Sequence, residues 1–317
     1  TTIIASGPKT AYSGTYVTEH FAAIDHLTTI IFNVLSGITV TPFEGNTVQQ
    51  NLKTPPTDLE AVNLYVNLID DYKNLPILIR AIGYIVAIMI SLKYIGELTS
   101  VEVNNNSLYL GYSGYIFSVL FVFWLTNLYN FMDGMDGMAA SQAIVAATTF
   151  AFWFLGHGGT EMAVICAVIA AASYGFLWHN WRPASIFMGD VGSIFLGAVF
   201  ALLLIVGHNR FDIPVLSSVL LLLVFIGDSM LTLILRVRRG EKVWQAHSSH
   251  FYQRLAHAGY SHAYIVVAYI GLMIVCSLAA TVSLYQQELL LPISAGLALL
   301  VTLLAIGVSI VTRTKPE

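Results

Sequence analysis

The stretch from Asn127 to Met138 reads N-L-Y-N-F-M-D-G-M-D-G-M and follows directly on the apolar run Tyr115 to Thr126. Asp133 and Asp136 are three residues apart, so on a helical or turn-like backbone their carboxylates share one face and can share a divalent cation. Gly134 and Gly137 lack a Cβ, which lets the backbone bend tightly or come close to a phosphate. An Asx-rich turn closing a helix is the plain structural alternative. Two D-G steps in tandem behind N-x-x-N favour the chemical one.

Three further clusters carry the same kind of chemistry. Asp70 and Asp71 form an acidic pair, with Arg80 nine residues beyond Asp71. One carboxylate can act as base or metal partner while Arg80, one turn into a span, meets a lipid phosphate or simply snorkels. The segment His179 to Ser193 reads H-N-W-R-P-A-S-I-F-M-G-D-V-G-S and puts Asp190 between two glycines at the start of a very apolar helix. An N-cap role is the plain explanation for Asp190 alone. Acid-and-glycine sites recurring along the chain, with no cysteine cluster, suit Mg2+ or Mn2+ better than Zn2+. In R-V-R-R-G-E-K-V-W-Q-A-H-S-S-H-F-Y-Q-R-L, from Arg236 to Leu255, His247, His250 and Arg254 follow i, i+3, i+7 spacing and share one face of a helix. Without an H-E-x-x-H pattern this face suits a diphosphate, matched by the Arg fork, better than zinc. Arg236, Arg238 and Arg239 are read as anchors at the membrane surface.

The elements that position these residues follow from composition. With 56% hydrophobic and 10% charged residues in 317, the chain is no ordinary soluble globule. Its apolar runs are continuous and not alternating, which excludes a β-barrel pattern. The fold class expected is all-α, a polytopic transmembrane bundle of about ten spans with cytoplasmic loops forming the site. Eight spans are legible, near 77 to 95, 110 to 130, 138 to 155, 161 to 178, 187 to 206, 214 to 235, 263 to 284 and 288 to 311. Residues 1 to 66 read poorly and offer one weak apolar stretch, Phe21 to Val40. Residues 67 to 317 are expected to form one transmembrane domain that holds the catalytic candidates. No cleavable signal peptide is expected.

Alternating spans place the four motifs on one face. Lys73, Arg80, Arg182, Arg236, Arg238, Arg239, Lys242, Arg254, Arg313 and Lys315 fall on that face, and Lys93 and Arg210 opposite. The positive-inside bias makes the motif side cytoplasmic. Cys166 and Cys276 sit in apolar runs and read as packing residues. Trp124, Trp153 and Trp178 read as an interfacial belt.

These motifs resemble the polyprenyl-phosphate N-acetylhexosamine-1-phosphate transferase family. The residues that carry the resemblance are Asp70-Asp71 with Arg80, N-L-Y-N-F-M-D-G-M-D-G-M-A at 127 to 139, P-A-S-I-F-M-G-D-V-G-S at 183 to 193 and H-S-S-H-F-Y-Q-R-L at 247 to 255. It implies a bacterial inner-membrane enzyme that moves a sugar 1-phosphate from a UDP-N-acetylhexosamine to undecaprenyl phosphate, releases UMP and depends on Mg2+. The last motif looks like the branch that initiates O-antigen and related surface polysaccharides. On this resemblance Asp190 and Asp136 hold the metal, Asp133 supports them, and Asp70 or Asp71 deprotonates or orients the lipid phosphate that Arg80 fixes. Asn127 and Asn130 shape the nucleotide side, while His247, His250 and Arg254 grip the diphosphate or sugar. Partners would be membrane lipid and a second copy in a homodimer, with no nucleic acid.

Residues 1 to 66 lack the family's usual opening of two spans and a Pro, Arg and Gly-rich loop; either this end is divergent, or the sequence is altered there, as by a reading-frame shift that recovers near Tyr65. The alternatives are an ion-coupled transporter using Asp133, Asp136 and Asp228, and an inactive homologue that scaffolds other enzymes. The acids cluster at span ends and no internal repeat is visible, which counts against transport. Asp228, inside the span 214 to 235, is held as a structural or supporting acid.

Overall fold

The computed structural model describes residues 77–103, 106–241 and 248–313. The chain divides into two compact units, Thr1–Ile90 and Ser91–Glu317. Of the first, the described part is the leading portion of α1 (Ile77–Ile95); the weak stretch Phe21 to Val40 lies outside the described residues. The second unit contains a short antiparallel hairpin, β1 (Ser100–Val103) and β2 (Asn106–Tyr109), with Val101 facing Leu108. Helices α2 (Ser113–Met132), α3 (Met138–Gly156), α4 (Thr160–Asn180) and α5 (Gly189–Phe211) follow. After them come α6 (Val215–Leu221), α7 (Leu223–Arg238), α8 (Phe251–His257), α9 (His262–Tyr285) and α10 (Leu290–Arg313).

Seven of these helices are long and apolar enough to cross a membrane, or eight when the bent pair α6 and α7 is one span. This multi-pass helical membrane protein reproduces the eight spans read from the sequence, with shifts of a few residues at the ends. One span differs in shape, because α6 and α7 meet at 81°. No proline or glycine marks that break at Leu222. Backbone groups freed inside a membrane need internal partners, and the Gln142 side-chain amide on α3 supplies one: its Nε2 donates to the Leu221 carbonyl at 3.4 Å.

Helices α2, α3 and α5 form the centre. Tyr129 on α2 is fully buried between Phe200 and Phe225, with ring centroids 5.8 Å and 5.1 Å away. Its hydroxyl donates to the Ala139 carbonyl at 2.8 Å, tying α2 to the first turn of α3 across the D-G loop. Trp153 corrects the belt reading. It is fully buried, and its indole N–H donates to Thr281 Oγ1 on α9 at 3.0 Å. A ring inside a run of apolar residues is belt or core according to which way its helix faces, and α3 is the most enclosed of the crossing helices apart from α5. Trp178, 76% exposed, does face outward. Cys166 and Cys276 are buried and unbridged.

The crossing of α2 and α5 is close because Gly197 has no side chain. A Cβ there would stand 2.8 Å from Tyr129 Cβ and 2.9 Å from Thr126 Cα. Overpacking of this sort costs about 1–3 kcal/mol, so Gly197→Ala should lower the thermal midpoint of the detergent-solubilised protein. An unchanged midpoint would show that the crossing has slack.

Candidate active site

The motif 127 to 138 ends one helix and begins the next. Asp133 is the C-cap of α2, its backbone N–H donating to the Asn130 carbonyl at 3.2 Å. Gly137 precedes α3 with a φ of 81°, a conformation that strains other residues. Its N–H donates to Asn180 Oδ1 at 2.8 Å. Asn180 is buried at the end of α4, and its Nδ2 donates to the Ile186 carbonyl at 2.8 Å. A single amide thus joins the D-G loop to the loop that carries Asp190.

Asp190 lies in the first turn of α5, one residue beyond Gly189 and not at the N-cap, which is Met188. Its carboxylate faces the helix's positive end. Asn130 Nδ2 reaches it from α2, donating to Asp190 Oδ1 at 3.0 Å and to Ser193 Oγ at 2.9 Å. Asp136 Oδ2 accepts from the Ala184 N–H at 3.4 Å. A cavity of about 320 Å3 opens among Asn130, Asp133, Asp136, Asn180 and Asp190, with Phe187 and Met188 on its apolar side. The structure therefore brings three of the five sequence-predicted acids to one place.

The remaining candidates are distributed differently. Asp70, Asp71 and His247 lie outside the described residues, and Arg80 belongs to α1 in the first unit. Asn127 turns back on its own helix, its Nδ2 donating to the Phe123 carbonyl at 2.7 Å. His250 is the N-cap of α8, so the expected shared helical face of His250 and Arg254 begins only after His250. His250 is buried with Nδ1 3.0 Å from Asp228 Oδ1. Arg254 donates to Ser309 Oγ at 3.1 Å and Thr312 Oγ1 at 2.7 Å on α10. Arg236 is buried and pairs with Glu241 at 2.9 Å. Arg236, His250 and Arg254 do not line the cavity.

Two positioning residues had little signal in the sequence. Asn180 looks like a polar end to an apolar run, and Tyr252 like one more aromatic in a loop. Tyr252 is fully buried, and its hydroxyl donates to the Phe131 carbonyl at 3.1 Å. A Cβ on Gly134 would collide with that hydroxyl. Burial and the neighbouring charges of Asp228 and Asp133 keep the Tyr252 hydroxyl protonated well above its ordinary range, so it remains a donor.

Burial, and secondarily the charge of Asp190, push the Asp133 carboxyl up to about 7. Among the described residues no three His, Cys, Asp or Glu side chains converge as a ready ligand set. What the cavity holds is a carboxyl penalised for ionising next to another carboxylate. The folded-state value lies above the unfolded one, so the ion-free protein loses stability as pH rises from 3.8 toward about 7. Thermal midpoints without divalent ions should fall across that window, and Asp133→Asn should flatten the fall. A midpoint in the native protein that rises steadily over the same range would contradict the buried, repelled carboxyl. Asn180→Ala, which removes two buried hydrogen bonds, should cost about 2–3 kcal/mol, read as a lower thermal midpoint.

Residues 59–208, which include the D-G loop and Asp190, match the family model described as glycosyl transferase family 4. A probable undecaprenyl-phosphate N-acetylglucosaminyl 1-phosphate transferase of Bacillus subtilis (strain 168) is 29% identical over 177 residues, 55% of this chain and 49% of that protein. A phospho-N-acetylmuramoyl-pentapeptide-transferase of Chlorobium luteolum is 49% identical over 65 residues, 20% of this chain and 18% of the relative. The enzyme of that name from Orientia tsutsugamushi is 32% identical over 130 residues, 39% of this chain and 34% of the relative. The chain spans about half the length, or less, of these curated relatives. The matched segment and the motifs inside it are thus similar to glycosyl transferase family 4, and the relatives that share them bear the names of sugar-phosphate transferases of the undecaprenyl-phosphate and muramoyl-pentapeptide kinds.

Proposed function

We propose that the chain transfers an N-acetylhexosamine 1-phosphate from a UDP-sugar to undecaprenyl phosphate, on the cytoplasmic face of a bacterial inner membrane, as the first step of a surface polysaccharide of the O-antigen kind. The observation that carries this reading is the convergence of Asp133, Asp136 and Asp190 on one cavity at the ends of membrane-crossing helices. The name of the Bacillus subtilis relative points to the same lipid acceptor.

In this reaction an oxygen of the lipid phosphate bonds to the sugar-bearing phosphorus of the donor. The bond from that phosphorus to the bridging oxygen breaks, and UMP leaves with the bridging oxygen. Both reactants are anions, so catalysis rests on placement and charge neutralisation more than on a strong nucleophile. Asp190 and Asp136 would hold Mg2+, with Asp133 beside them; the donor set fits, since Mg2+ is commonly held by one or two carboxylates plus substrate phosphates. Bound Mg2+ supplies positive charge to the diphosphate. Asn130 fixes the direction of the Asp190 carboxylate through its 3.0 Å hydrogen bond. The first turn of α5 adds N–H groups and a favourable dipole for phosphate oxygens. Phe187 and Met188 border the cavity with apolar surface suited to excluding water. Asp70 or Asp71 would orient the lipid phosphate, with Arg80 and His247 supplying basic groups.

Membranes incubated with radiolabelled UDP-N-acetylhexosamines, undecaprenyl phosphate and Mg2+ should yield labelled lipid and UMP. Absence of product from every UDP-sugar would sink the proposal. Asp190→Asn should abolish turnover while the protein still inserts; near-normal turnover would remove Asp190 from the metal site. Because a proton on Asp133 competes with a cation, Mn2+ measured by electron paramagnetic resonance should bind about tenfold more weakly at pH 6 than at pH 8.

A further inference from the structure

Asp228 lies on α7, within the bent span and outside the cavity lining, yet it is 4% exposed and receives hydrogen bonds from α7 itself, the start of α8 and α9. Its Oδ1 accepts from Thr232 Oγ1 at 3.3 Å, from the Phe251 N–H at 3.1 Å and from His250 Nδ1 at 3.0 Å. Its Oδ2 accepts from the Tyr252 N–H at 3.3 Å and from the Tyr269 hydroxyl at 2.5 Å. The first two N–H groups of α8 therefore end on this one carboxylate, and no other acid supplies an acceptor there among the described residues. From α8, Tyr252 reaches across to α2. Its hydroxyl takes the Phe131 carbonyl, a group left without a helical partner at the end of α2, and occupies the space where a side chain at 134 would stand. Phe131 and Gly134 bracket Asp133.

We propose that Asp228 is a positioning residue that sets the placement of Asp133, acting through α8 and the Tyr252 hydroxyl. Its effect on turnover rests on the transferase reading; its effect on the loop does not. An amide at 228 presents one acceptor where there were two, so at least one N–H of α8 loses its partner whichever way the amide is turned. Loosening α8 withdraws the Tyr252 hydroxyl from Phe131, and the D-G loop loses its outer support. Asparagine keeps the size of the side chain, which separates loss of the acceptor from loss of packing.

Amide hydrogen exchange across residues 131–137 tests this in the purified protein. Exchange there should be about fivefold faster in Asp228→Asn and in Tyr252→Phe, the factor that one lost hydrogen bond supplies, while the hairpin 100–109 is unchanged. Both variants should also require more Mg2+ for half-maximal turnover. Gly134→Ala should lose turnover, and Gly134→Ala combined with Tyr252→Phe should recover part of it, because the collision is with the hydroxyl that phenylalanine lacks. Native exchange rates at 131–137 in Tyr252→Phe would overturn the proposal even if Asp228→Asn failed to fold. A double variant no better than Gly134→Ala would overturn it as well. Absence of turnover in the native protein would instead sink the transferase reading and leave the exchange result to decide the placement.

Discussion

Where a helix ends or breaks at a membrane, its freed N–H and C=O groups must find partners inside the protein. The second unit is organised by that constraint. At the end of α2, Tyr252 serves the Phe131 carbonyl. At the start of α3, Asn180 serves the Gly137 N–H. At the break between α6 and α7, Gln142 serves the Leu221 carbonyl, and at the start of α8, Asp228 serves two N–H groups. Each partner comes from a different segment than the end it satisfies. The same bonds that settle the backbone therefore lock the loops to one another, and the acids ride on those loops.

This explains how carboxylates that repel one another can be held together. Asp133 and Asp190 gain nothing from proximity, as the raised Asp133 carboxyl records. Their neighbourhood is imposed by the close crossing of α2 and α5 at Gly197, and by Asn130, which bridges the two helices through Asp190 and Ser193. Positive charge placed between the two carboxyls would relieve repulsion of this kind.

The crossing helices and the main motif were legible in the sequence because both signals are local. A run of about 20 apolar residues can do little but span, and D-G-M-D-G at its end advertises itself. The bend at Leu222 was not legible, since the run from Val215 to Leu235 contains no breaker at that point and the amide that meets the Leu221 carbonyl comes from another helix. Trp153 was misread for a related reason: the sequence shows a ring near a span end but not which way the helix faces. Asn180 and Tyr252 were passed over as an ordinary polar end and an ordinary aromatic, because their importance lies wholly in partners 43 and 121 residues away. Asp228 was noticed as an acid within a span, and only the fold shows what it holds.

The contact between Trp181 and Gly137 has an optical consequence. A Cβ at Gly137 would be 3.1 Å from the indole ring, so the ring rests almost directly on the backbone between the two acids and α3. Trp153 is sealed in the core and Trp178 faces outward. The indole at 181 is thus an intrinsic fluorophore laid against the D-G loop, placed so that a rearrangement of that loop around a bound anion or cation would alter its emission without a label.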